Sequence, residues 1–181
     1  MGVTPAGIVA FWTEAGPDKW FKKDAAFDQT IAARFGTTVD SVLSGELDHW
    51  SETPSGALAL VLVLDQFTRN IWRDDARAFS GDEKALEISE HAIERGQDML
   101  VPLEGRKWLY MPFMHSERLD VQERGLVHFK DRLQDPGTYK FAVLHRDIVE
   151  RFGRFPHRNA LLGRRTTEQE QVFLDKGGFK G

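Results

Sequence analysis

Three short stretches of this chain gather polar residue types that could do chemistry. The first runs Asp65-Gln66-Phe67-Thr68-Arg69-Asn70. Asp65 and Arg69 are four positions apart, as are Gln66 and Asn70, so on a helix each pair shares a face. They follow Ala57-Leu58-Ala59-Leu60-Val61-Leu62-Val63-Leu64, the most apolar run in the sequence. Polar groups at the end of such a segment need partners when buried. Two readings stay open. Asp65 and Arg69 form a buried ion pair, or all four polar residues line a pocket.

The second stretch is Met111-Pro112-Phe113-Met114-His115-Ser116-Glu117. It sets an imidazole, a hydroxyl and a carboxylate side by side. Consecutive side chains diverge, and catalytic triads are assembled from distant positions. Ser116 also lacks the glycine-flanked turn of a nucleophile elbow. The plainer reading is that these groups cap a helix or bond to nearby backbone.

The third stretch, His145 to Asn159, carries five anion donors: Arg146, Arg151, Arg154, His157 and Arg158. It belongs to a locally basic segment, Lys140 to Arg165, inside a protein of net charge −4. Such a segment is a candidate site for anions. Phe155 precedes Pro156 and so avoids helix, which puts His157, Arg158 and Asn159 on an irregular segment. The triplet His145-Arg146-Asp147 has a kinase-like order. It lacks the Gly-rich loop, the strand lysine and the Asp-Phe-Gly that a kinase needs.

Other chemistries are excluded or weakly signalled. The chain has no cysteine, which removes disulfides, thiolate nucleophiles and Cys-ligated metals. Its six histidines show no His-Glu-x-x-His and no pair of Glu-x-x-His motifs, so no metal and no cofactor is expected. The acidic balance argues against a nucleic-acid partner. No run approaches the ~20 apolar residues that span a bilayer, so no membrane partner is expected. Met1 to Phe11 has no basic, apolar leader pattern, and the expected location is the cytoplasm.

Helices must position these stretches. Thr4-Pro5 reads as a helix start, followed by Ile8, Phe11 and Trp12 at helical spacing. Asp24 caps a second helix with Phe27, Ile31 and Phe35 on one face, closed by Gly36. Thr38 to Leu43 reads as a separate short helix. Thr53-Pro54 opens the central helix, Pro54 to Ile71. Its apolar run could be a buried strand by periodicity alone, but the proline start and the continuation through Phe67 and Ile71 favour helix. Asp82 to Arg95 is amphipathic and ends at Gly96. Pro102 starts a helix that buries Trp108, Leu109 and Met111, with a kink or break expected at Pro112. Leu119 to Leu133 is helical, then Thr138 to Phe152 with Phe141, Leu144, Ile148 and Phe152 on its buried face. Thr167 and Glu170 form a capping box for a last short helix.

No strand or hairpin signal occurs. With 181 residues and short Gly/Pro turns, the reading is one all-α domain, 1–181, built from antiparallel helix pairs. No exact repeat of 34 residues is present.

Leu64-Asp65-Gln66-Phe67 with Arg69-Asn70-Ile71, then Pro112-Phe113-Met114-His115-Ser116-Glu117, then Phe152-Gly153-Arg154-Phe155-Pro156-His157-Arg158-Asn159 with Leu162-Gly163-Arg164 carry a family likeness. Together with Phe11-Trp12 and Trp20-Phe21, they make the chain resemble the bacterial family called domain of unknown function 924. Thr68 departs from the proline that the family often has after Gln-Phe. The resemblance implies a tetratricopeptide-like, right-handed helical superhelix and brings no known activity.

Three functions fit. A helical array could bind a peptide or an anionic small molecule through Asp65, Gln66, Arg69, Asn70, His115, Ser116, Glu117, Arg154, His157, Arg158 and Asn159. A small-molecule hydrolase could use His115 or His157 as a base beside Glu117 or Asp65. Or the motifs are purely structural, with their polar groups satisfied among themselves. Fold-level analogy favours binding.

Overall fold

The computed structural model describes residues 2–179, and among them every regular element is a helix or helical turn. The chain forms two compact units, residues 1–73 with 77–112 and residues 74–76 with 113–181.

The first unit is organised around the apolar run. Helices α1 (Pro5–Ala15), α2 (Pro17–Trp20) and α3 (Ala25–Leu43) precede it. Thr4 and Asp24 cap the first and third with their side chains. Helix α4 (Pro54–Val61) begins at Thr53, whose hydroxyl accepts from Gly56 N–H, with Pro54 at the first position. The chain then widens into one π-helical turn, Leu62–Phe67, and tightens again in α5 (Thr68–Ile71). All eight residues from Ala57 to Leu64 are buried, as an apolar all-round helix requires. α1 and α6 (Asp82–Glu94) pack on α4, and α3 packs on α5. Trp12, Phe35, Leu60, Leu64, Phe67 and Leu109 are buried, as their spacing predicts. Gly81, at the N-terminus of α6, lies so close to the Leu64 backbone that a Cβ there would sit 2.3 Å from the Leu64 carbonyl oxygen.

Two helix ends differ from the sequence reading. α3 does not stop at Gly36 but runs on to Leu43, absorbing the expected short helix. A mid-helix glycine costs about 1 kcal/mol, and burial of Phe35, Thr38, Val39 and Val42 on the same helix outweighs it. α7 (Leu103–His115) likewise continues through Pro112. Proline there removes one hydrogen bond near the helix end, while burial of Phe113 and Met114 holds the last turn.

The second unit contains α8 (Leu119–Val127), a π-helical turn at His128–Leu133, α9 (Pro136–Phe152) and α10 (Glu168–Asp175). α8 packs on α9. Gly125 allows this unit's Phe113 to approach α8, since a Cβ there would sit 2.7 Å from Phe113 Cβ. The buried face of α9 is not the expected one. Ala142, His145, Ile148 and Val149 face inward, while Phe141 is 57% and Leu144 40% exposed, and Phe152 is half-buried. α10 has the predicted capping box, with Thr167 and Glu170 bonding reciprocally to backbone.

Candidate functional site

The first motif forms a charge cluster inside the first unit. Asp65 sits on the π-helical turn and is fully buried. Its carboxylate pairs with Arg69 at 3.1 Å and accepts from Gln66 at 2.5 Å. Arg69 also reaches the Asp82 carboxylate at 2.9 Å. Burial works against the Arg69 charge, but the two carboxylates outweigh it and raise its pKa above the ordinary value. Asn70 donates to Asp28, which also receives Arg73 at 2.8 and 2.9 Å. The expected Asp65–Arg69 pair is thus present, with Asp82 and Asp28 as additional acidic partners that the sequence did not single out.

The second and third motifs come together in the second unit. Glu117 accepts both terminal nitrogens of Arg164, at 2.6 and 2.9 Å, and the Phe155 N–H at 2.8 Å. Burial opposes the Glu117 charge, while Arg164 and the Phe155 N–H hold its carboxyl below the ordinary range. Arg164 also donates to Asn159 and to the Phe155 carbonyl. Arg154 makes a second two-pronged pair, with Glu170 at 2.7 and 2.9 Å. That pairing leads the effects that lower the Glu170 pKa to about 2. Asn159, only 1% exposed, links the two pairs by donating to Glu170. Arg164 and Glu170 were missed as site residues. The Leu162-Gly163-Arg164 motif and the capping box were the signals that pointed at them.

Beside this network lies a histidine cluster. His115, at the end of α7, approaches His145 of α9 with ring centroids 6.4 Å apart. His145 and His157 both contact the Phe179 ring, at 4.5 and 5.2 Å. Arg158 donates to the His115 carbonyl and stacks its guanidinium over Phe155, 4.7 Å from the ring centre. The expected irregular segment is a single 3₁₀ turn, Pro156–Arg158. Burial first, then neighbouring cationic groups, lowers the pKa of His145 and of His157 to about 4, so both are neutral at pH 7. His145 donates Nδ1–H to the Phe141 carbonyl at 2.7 Å. His157 Nδ1 is buried with no hydrogen-bond partner. Ser116 turns its hydroxyl to the backbone, accepting from Arg118 N–H.

Among the described residues, no group of three or more His, Asp or Glu side chains could hold a metal ion. None of their helices is long and apolar enough to cross a membrane.

The comparisons with known proteins agree with one another. A family model described as a bacterial protein of unknown function (DUF924) matches residues 8–178. The solved structure of a protein of unknown function from Agrobacterium tumefaciens is similar at 44% identity and a TM-score of 0.92. That match covers 96% of this chain and 97% of the other. No curated protein matches.

Proposed function

We propose, for a chain that belongs to the bacterial family DUF924, that it is a binding module that takes an anionic group, from a small molecule or a peptide, at the histidine cluster of its second unit. One observation carries this reading. The buried His157 Nδ1 has no hydrogen-bond partner, and an unmet polar atom of this kind costs about 1–3 kcal/mol until something satisfies it. His157 stands beside His115, His145 and Arg158, next to the Arg154–Glu170 and Arg164–Glu117 pairs. A carboxylate or phosphate oxygen is the natural partner for an N–H of neutral His157.

The motif charges themselves support a structural role. Glu117 and Arg154 are committed to Arg164 and Glu170, so they hold the turn that presents His157 and Arg158. Glu117 is equally committed if one looks for a His–carboxylate dyad, and a hydrolase gains no support from this geometry. The Asp65 group serves the first unit in the same structural way.

The remaining parts of the proposal follow from the helices. The packed helices of each unit are consistent with antiparallel pairs stacked in a tetratricopeptide-like superhelix. One family model spans both units, which supports reading 1–181 as one domain. A cytoplasmic location, with neither nucleic acid nor membrane as partner, suits the acidic, cysteine-free composition.

Isothermal titration of inorganic phosphate and of citrate into the wild-type protein and His157→Ala tests the reading. Saturable binding of either anion, weakened at least about tenfold (about 1.4 kcal/mol) in the variant, supports it. Heat traces that match buffer dilution for both anions reject it.

A further inference from the structure

The outer face of α9 is more apolar than a solvent face requires. Phe141 is 57% and Leu144 40% exposed. The helix buries Ala142, Ile148 and Val149 with His145, and leaves these two large side chains outside. Single apolar residues on a surface are ordinary, but these two are three positions apart and share one helix face. Charged residues continue that face in both directions. Lys140, Leu144, Asp147 and Arg151 are all exposed and recur at intervals of four, three and four, which sets them on one line along the helix.

The charges on this line are available to a partner. Lys140 makes no ion pair with any described residue. Asp147 meets Arg146 of its own helix at 2.9 Å, but its side chain is 53% exposed and keeps acceptor positions toward solvent.

The order of the charges selects the occupant. Lys140 and Asp147 are seven residues apart, about 10 Å along the helix axis, and Leu144 lies between them. A two-fold axis beside Leu144 runs α9 antiparallel to the α9 of a second copy. Lys140 of each molecule then stands opposite Asp147 of the other, because the two residues lie nearly equally far on either side of that axis. Phe141 and Leu144 of both copies meet at the centre. A parallel pairing would instead set each charge against its own kind. Two-fold interfaces use one patch on both partners and demand this self-complementarity.

We propose that the exposed line of α9 is a homodimer contact, in which Phe141 and Leu144 form an apolar centre between two symmetric Lys140–Asp147 ion pairs. The occupant is a second copy of this chain. None of these four side chains belongs to the anion site. Two large apolar residues per copy make a contact at the low end of specific interfaces, so the dimer is weak, with Kd on the order of 10–100 µM.

Sedimentation equilibrium of the full chain, from about 5 to about 500 µM to bracket that Kd, tests the proposal. The wild type should pass from monomer to dimer over this range. Lys140→Glu and Asp147→Lys should each weaken the dimer about tenfold, because the symmetry turns two attractions into two repulsions. The double variant Lys140→Glu/Asp147→Lys restores opposite charges and should recover the wild-type Kd to within about threefold. Phe141→Ser should weaken the dimer without lowering the denaturation midpoint. A wild type that stays monomeric throughout overturns the proposal and leaves the face to a partner of another kind, or to none. A dimer that both single charge reversals leave intact also overturns it, since the copies then meet elsewhere. So does a double variant no tighter than the singles, which shows that Lys140 and Asp147 do not face one another.

Discussion

Glu117 receives both terminal nitrogens of Arg164 across 47 positions of sequence, and the same carboxylate takes the Phe155 N–H. One side chain therefore ties the turn after α7 to the loops on either side of Pro156–Arg158. Charge-assisted, two-pronged pairs of this kind fix geometry as well as energy. Glu117→Gln keeps the shape but replaces a charged acceptor with a neutral amide. It should cost about 1–3 kcal/mol in urea denaturation, and Arg164→Ala should cost a similar amount. The double variant should cost clearly less than the sum of the two, since both remove one interaction. Full additivity would show that the pair is not coupled.

Arg154 separates the structural role of the motif from its binding role. Its partner Glu170 is 2% exposed and loses a two-pronged donor when Arg154 is cut back. Arg154→Ala should lower stability by about 1–3 kcal/mol and leave anion affinity nearly unchanged where the protein remains folded. A stable Arg154→Ala variant with tenfold weaker anion binding would reverse these assignments.

Acid should weaken the fold in a defined window. Burial holds His145 and His157 near pKa 4, against 6.5 for a free imidazole. Between those values the unfolded chain binds more protons than the folded one, so stability falls as pH drops from about 6.5 to about 4 and is level above. For the buried His145 the loss is on the order of 2–3 kcal/mol. Glu170, held near 2 against 4.5, extends the decline as pH falls further. Urea midpoints at pH 7.5, 5.5 and 4.5 should show the fall, and His145→Gln should flatten its upper part. Equal midpoints at pH 7.5 and 4.5 would contradict the buried, neutral histidines.

The core of the first unit makes two sharper demands. Leu60 is fully buried, and Leu60→Ala should cost about 2–5 kcal/mol. At Gly81 the obstacle is backbone, the Leu64 carbonyl, which cannot swing aside like a side chain. Gly81→Ala should therefore destabilise by more than 1 kcal/mol, roughly the low end of overpacking costs, despite the better helix propensity of alanine. Thermal melts of both variants check this, and a Gly81→Ala melting point at or above wild type would show that α6 and the central helix are not so closely packed.

The central helix was legible because three signals coincide there: Thr53 and Pro54 at the start, and apolar residues all round from Ala57 to Leu64. The face of α9 was not legible. Its sequence offers two stripes, and side-chain size alone favours Phe141 and Leu144. The protein buries the stripe holding Ala142, Ile148 and Val149, together with His145, whose Nδ1–H is satisfied by the Phe141 carbonyl within the helix. Gly36 misled for a related reason, since local propensity says nothing about the burial of Phe35 and Val39. The motifs His115-Ser116-Glu117 and Arg154 to Asn159 could be named from the sequence, but Glu117–Arg164 and Arg154–Glu170 pair residues that no local pattern connects.

The binding claim rests on His157, and its imidazole can be watched directly. Side-chain ¹⁵N NMR at pH 7 should show His157 as a neutral ring, and citrate should move its Nδ1 resonance saturably, with a smaller shift at His145. A His157 signal that stays fixed through a citrate titration to tens of millimolar (weaker than about 3 kcal/mol of binding) would contradict the account, and would leave the cluster as a structural element alone.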